Sequence, residues 1–225
     1  MKNFIISLAL FFAVLSGGTA VATAAEVTYP LDQMFRPIPI DVPALAVVSL
    51  TDVGNAVRVD VTNVSEGRLN SLFFNFNGDP YNKNPNDLRF TNVTLDGNLL
   101  SGGNYRTALA RNENGRNPLL RTPGAGFFDG GIALRPGRSL QQGETLSFDL
   151  GINGVNLSIA DFQLQSLPGS ATRQTFVFAS QIFGEGGSVW VGGLTPVPLP
   201  AFFLLFGTSL IGLLAISRTK LFAAA

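Results

Sequence analysis

Residues 56–62 read A-V-R-V-D-V-T, apolar and polar in strict alternation, the two-residue period of a half-buried strand. Residues 70–77 (N-S-L-F-F-N-F-N) are aromatic-rich and strand-like. Further short strands are predicted over 88–95, 105–110, 131–134, 145–150, 175–183 and 188–194. Turn signals separate them: Asp52-Val53-Gly54-Asn55, Asn77-Gly78-Asp79-Pro80, Asp96-Gly97-Asn98, Arg135-Pro136-Gly137 and Pro168-Gly169. No long 3.6-residue period appears between residues 26 and 194. Residues 157–162 predict one helical turn capped by Ser158, and no more. Short strands at this spacing predict an all-β body, a single antiparallel β-sandwich or jelly-roll-like domain.

The two ends carry a different pattern. Lys2 is followed by an apolar run over 4–15 and by the small residues Ala22-Thr23-Ala24. That is the layout of a secretory signal peptide, residues 1–25, with cleavage after Ala24 or Ala25. At the other end, residues 197–216 hold no formal charge. As a helix they would extend about 30 Å, the hydrocarbon thickness of a bilayer. Pro196, Pro198 and Pro200 suit the mouth of such a helix and the extended chain before it. Arg218 and Lys220 would stay on the cytoplasmic side, leaving the body outside. Hydropathy by itself is also satisfied by a simple membrane anchor holding a periplasmic domain.

The tail, residues 195–225, resembles the PEP-CTERM sorting domain in its V-P-L-P-A variant, found on exported proteins of Gram-negative bacteria that make extracellular polysaccharide. Val197, Pro198, Leu199, Pro200 and Ala201 match its motif, residues 202–216 its spanning segment, and Arg218 with Lys220 its basic end. Leu199 departs from the usual acidic or alanine residue, and five residues trail beyond Lys220. The resemblance implies processing by an exosortase, a membrane-embedded cysteine protease, after signal peptidase has acted. It implies a passage through the inner membrane and a destination at the cell surface or in the biofilm matrix. Within the body, Gly126-Phe127-Phe128-Asp129-Gly130-Gly131-Ile132 and Val189-Trp190-Val191-Gly192-Gly193 loosely resemble domains that precede such tails.

The body, residues 26–194, is one domain's worth of chain. It holds all fifteen acids but twelve of the fifteen bases, leaving it at −3, which argues against a nucleic-acid partner. Lys83 is its only lysine, and the chain has no cysteine to form a disulfide. It also has no histidine. Ser-His-Asp triads, thiol nucleophiles and ordinary zinc sites are therefore excluded. Carboxylate pairs for glycoside hydrolysis, Glu144 with Asp149 or Asp129 with Asp161, are arithmetically available. Fifteen scattered acids always offer such pairs, so no enzymatic role is expected.

Two binding chemistries remain. Asn75, Asn77 and Asp79 begin a run of hard oxygen ligands suited to calcium, though Pro80 stands where a calcium-loop glycine belongs and no glutamate closes the set. Trp190, Tyr81 and Tyr105 are the aromatics on which a sugar ring could stack, the alternative function being a module that binds exopolysaccharide. Alternation sets Trp190 against Val189 and Val191 but leaves open which side is buried. The expectation is a non-enzymatic exported protein without a required cofactor, placed by its tail.

Overall fold

The computed structural model describes residues 25–35, 40–110, 120–168, 174–184, 187–194 and 196. The sorting motif, the spanning segment, the basic end and Ala24 lie outside these residues, and Ala25 is the first of them. Among the described residues no helix is long and apolar enough to cross a membrane.

The protein is all-β. Its strands are β1 (Glu26–Phe35), β2 (Ile40–Val53), β3 (Ala56–Asn63), β4 (Arg68–Phe74), β5 (Arg89–Leu95), β6 (Asn98–Leu99), β7 (Tyr105–Leu109), β8 (Arg121–Thr122), β9 (Gly126–Phe127), β10 (Gly130–Leu134), β11 (Thr145–Gly151), β12 (Phe178–Gly184) and β13 (Gly187–Gly193). Eleven of them form one antiparallel sheet in the order β6-β5-β11-β3-β2-β1-β13-β12-β4-β10-β7, and β8 with β9 forms a small ribbon. The alternation in β3 is realised as written: Val57, Val59 and Val61 are buried while Arg58 and Asp60 are half-exposed. A short 3-10 turn, Ile159–Phe162, follows Ser158, whose N–H and hydroxyl both donate to Asp161 Oδ2, at 2.7 and 3.2 Å.

The sheet curls until its two halves face each other. Phe74 of β4 and Phe90 of β5 sit far apart in the strand order, yet their ring centroids are 6.0 Å apart. Phe90 in turn lies 5.4 Å from Phe148 of β11, and Tyr29 of β1 meets Phe178 of β12 edge-on at 5.0 Å. Val48, Leu50, Val59 and Phe148 from one half thus share a single core with Leu72, Phe74, Phe178 and Val191 from the other. A smaller cluster lies on the opposite face of the second half, where Phe128, Phe176, Ala179 and Leu120 are joined by Phe73 and Leu194.

Two long strands, β1 and β2, exceed what the hydrophobic pattern predicts. Pro30 and Pro43 interrupt both segments, and proline normally demotes a strand because it cannot donate to the ladder. β1 tolerates Pro30 because it pairs with β13 only at Gln33, Met34 and Phe35, so the Pro30 position has a ladder partner on the β2 side alone.

Phe74 has no exposed surface and touches aromatic rings of both halves. Phe74→Ala is expected to lower the free energy of urea unfolding by about 3–5 kcal/mol. Phe183→Ala, at a position 37% exposed, should move it by no more than about 0.5 kcal/mol. Equal effects at the two positions would contradict a core shared across the curl.

Candidate functional site

β4 runs off its end into three residues that build a cavity. Asn75 is 2% exposed, and its amide donates to the carbonyls of Leu164, Phe176 and Val177 at 3.1, 3.1 and 3.2 Å. That side chain ties the 164 loop and the approach to β12 onto the end of β4. The Phe76 N–H donates to Asp129 Oδ2 at 3.0 Å, and the Asp129 N–H donates back to the Phe74 carbonyl at 3.0 Å. The Asn77 N–H donates to the Asp161 carbonyl at 2.7 Å. Gly78 then begins a tight turn in which its carbonyl accepts from the N–H groups of Tyr81 and Lys83. A Cβ at Gly78 would lie 1.8 Å from the Lys83 carbonyl oxygen, so only glycine lets the chain fold back this closely.

The result is a cavity of about 280 Å³. Asp129, Asn77, Asp79, Lys83 and Gln165 supply its polar lining; Phe76, Pro85, Leu164 and Leu167 supply the apolar part. Leu164 and Leu167 are 42% and 40% exposed, two of the few large apolar side chains the described surface leaves in water. Asp129, 9% exposed, is the most deeply buried of the polar lining. Burial pushes its carboxyl up to about 6, against a smaller downward pull from the Phe76 N–H. A carboxyl with a perturbed pKa lining a cleft marks a candidate functional site.

A second, wider groove of about 540 Å³ lies at the other end of β4, between Leu45, Val64, Glu66, Ile182 and Val189. Its polar lining, Ser65, Glu66, Gln142 and Ser188, includes none of the buried polar side chains.

The other acids of the two carboxylate pairs are held by structural bonds. Asp161 Oδ2 also accepts the Tyr81 hydroxyl at 3.0 Å. Burial, and then this bond, raise the Tyr81 hydroxyl above the usual tyrosine value. Asp149 pairs with Arg58 through bonds of 2.8 and 3.2 Å and accepts Asn92 at 2.6 Å. The bond to Asp149 holds Arg58 still more firmly protonated than a free arginine. Glu144 accepts the Gln141 N–H at 2.7 Å within a turn.

Trp190 lies on the face of β13 away from the main core, half-buried and stacked on Phe73 at 5.4 Å and 26°, while Val191 takes the inner side. Tyr81 and Tyr105 pack against the main core instead, so the structure does not gather the three aromatics into one platform. Of the calcium candidates, Asn75 turns its amide inward, whereas Asn77 and Asp79 line the cavity with Asp129. Among the described residues no three acidic side chains are grouped to hold a metal ion. Asn63 is fully buried, its amide bound to the carbonyls of Gly67 and Leu140. Comparison with protein-family models, curated proteins and solved structures found no match for this chain.

The buried acid has a consequence for stability. The folded chain keeps a proton on Asp129 that the unfolded chain releases, between the ordinary value of 3.8 and about 6. Stability from this group is therefore greatest at low pH and is lost as pH rises through that window, by about 3 kcal/mol in all. Asp129→Asn keeps an acceptor for the Phe76 N–H and removes the titration. Its unfolding free energy should equal the wild type's near pH 4 and exceed it increasingly up to about pH 6.5. A difference that stays flat across urea melts in this range would show that the carboxylate is well solvated.

Proposed function

We propose that this chain is an exported, non-enzymatic protein of the cell surface or extracellular polysaccharide matrix, delivered there by its C-terminal tail. One observation carries the reading: V-P-L-P-A at residues 197–201, an uncharged apolar run over 202–216, then Arg218 and Lys220. The signal-peptide pattern over residues 1–25 supports it from the other end. In this reading signal peptidase cuts near Ala24, the tail halts the chain in the inner membrane, and an exosortase-type protease cuts near Pro198–Ala201.

The body suits such a role. Its curled antiparallel sheet, with one core shared by its two halves, supports reading the body as a two-layered, jelly-roll-like sandwich. Asp149, Asp161 and Glu144 are occupied in holding turns and strands together. A domain of this kind would act structurally or adhesively once released, with calcium not required for folding.

The intact mass of the protein recovered from its native host tests the proposal. A species beginning near Ala25 and ending between residues 198 and 201, found outside the inner membrane, is the expected outcome. Added mass on the new C-terminus would identify a covalent anchor. A species that keeps residues 202–225 and stays in the inner membrane would replace sorting with simple anchoring of a periplasmic domain.

A further inference from the structure

The cavity at the end of β4 has a lining that selects a ligand class. Asp129 is buried and accepts hydrogen bonds; Lys83 donates; Asn77 and Gln165 do both. Beside them Leu164 and Leu167 present apolar surface to solvent. A bare divalent cation suits this lining poorly, because Lys83 stands in the wall and no third acid joins Asp129 and Asp79. An anion would meet those same two carboxyl groups. A purely apolar ligand would strip water from Asp129, Lys83, Asn77 and Gln165 without replacing it. What remains is a small molecule with several hydroxyls, each able to donate and accept, and a C–H face for the leucines. At about 280 Å³ the space lies at the small end for ligand pockets and has room for a single ring.

The geometry points to this cavity as a binding subsite for one sugar ring, with Asp129 accepting from a ring hydroxyl, Lys83 donating to another oxygen, and Leu164 and Leu167 covering a C–H face. The site differs from an aromatic platform on Trp190, Tyr81 or Tyr105, since none of the three lines it. It rests on the cavity alone and holds whether or not the tail is processed. Asp129 is also bonded to Phe76 and Phe74 at the end of β4, so a hydroxyl in the cavity meets an acceptor whose position the fold already fixes.

The test is saturation-transfer NMR on the full-length chain in a sugar-free detergent. The methyl glycosides of glucose, galactose, mannose, N-acetylglucosamine and xylose are titrated to about 20 mM, well above a Kd of about 1 mM. At least one glycoside is expected to bind. Asp129→Asn and Lys83→Met, each removing one charge-assisted bond, should weaken that binding about tenfold. Trp190→Ala, at a residue that does not line the cavity, should leave it unchanged. Thermal melts of each variant separate lost binding from lost folding, and Gln165→Ala at the exposed rim gives a further reading of the cavity that spares the buried Asp129. Failure of all five glycosides to bind would overturn the inference. So would binding that survives both Asp129→Asn and Lys83→Met, or that vanishes with Trp190→Ala at unchanged stability.

Discussion

The fold depends on the place where β1 takes on a second partner. Along most of its length β1 pairs with β2, but the register jumps from Leu31 opposite Ala46 to Gln33 opposite Asp41, and at Gln33 the other edge of β1 takes up β13. In the strand order this single strand joins the two halves of the eleven-stranded sheet. An irregular register of this kind bends a strand and increases its twist. Here it lets Tyr29 and Leu31 face the core while the chain turns toward the second half. Phe74 and Phe90, whose rings meet across the curl, belong to strands on either side of that corner in the strand order. Hydrophobic burial supplies the driving force, but the corner decides which apolar surfaces meet.

Strands in both halves were legible in the sequence, some because period-two alternation survives wherever one face is buried. The segments occupied by β3 and β11 show it, whereas β4 is legible as an aromatic-rich run. β1 and β2 were illegible because their prolines look like strand breakers, and nothing local reveals that one edge of β1 is unpaired at Pro30. Trp190 illustrates a different limit. Alternation fixes that it opposes its valine neighbours, yet both faces of β13 carry apolar clusters, so hydrophobicity alone could not say which was the main core. The sequence predicts a strand over 131–134, and Gly130 joins it. A Cβ at Gly130 or Gly131 would lie 2.4 Å from the ring of Phe74 or Phe73.

The cavity was hidden for a topological reason. Its walls come from residues 76–85, from Asp129 and from residues 164–167, three stretches brought together only by β10 pairing with β4 and by the Asn75 amide. In sequence Asp129 was one of fifteen acids beside a glycine. In the fold it is the acid that breaks the local rule: others of the two carboxylate pairs are satisfied by arginine, asparagine or turn N–H groups, whereas Asp129 is buried with the Phe76 N–H and a cavity. A sequence that is otherwise consistent tends to accept such a local cost where function asks for it.

The position of this cost along the chain links the two proposals. β13 ends at Gly193, opposite Phe178, which is itself opposite Phe74 at the end of β4 where the cavity begins. Leu194 packs in the cluster around Phe128, next to Asp129 in the chain. The body therefore hands over to the tail at the end of the sheet that carries the cavity. Seven residues, 195–201, separate Leu194 from the apolar run, and fully extended they span no more than about 25 Å. In the proposed reading a domain still held by residues 202–216 would stay close to the bilayer. Cleavage at residues 198–201 would free it to meet polysaccharide away from the membrane, while the sugar subsite, built from the body alone, is the same before and after.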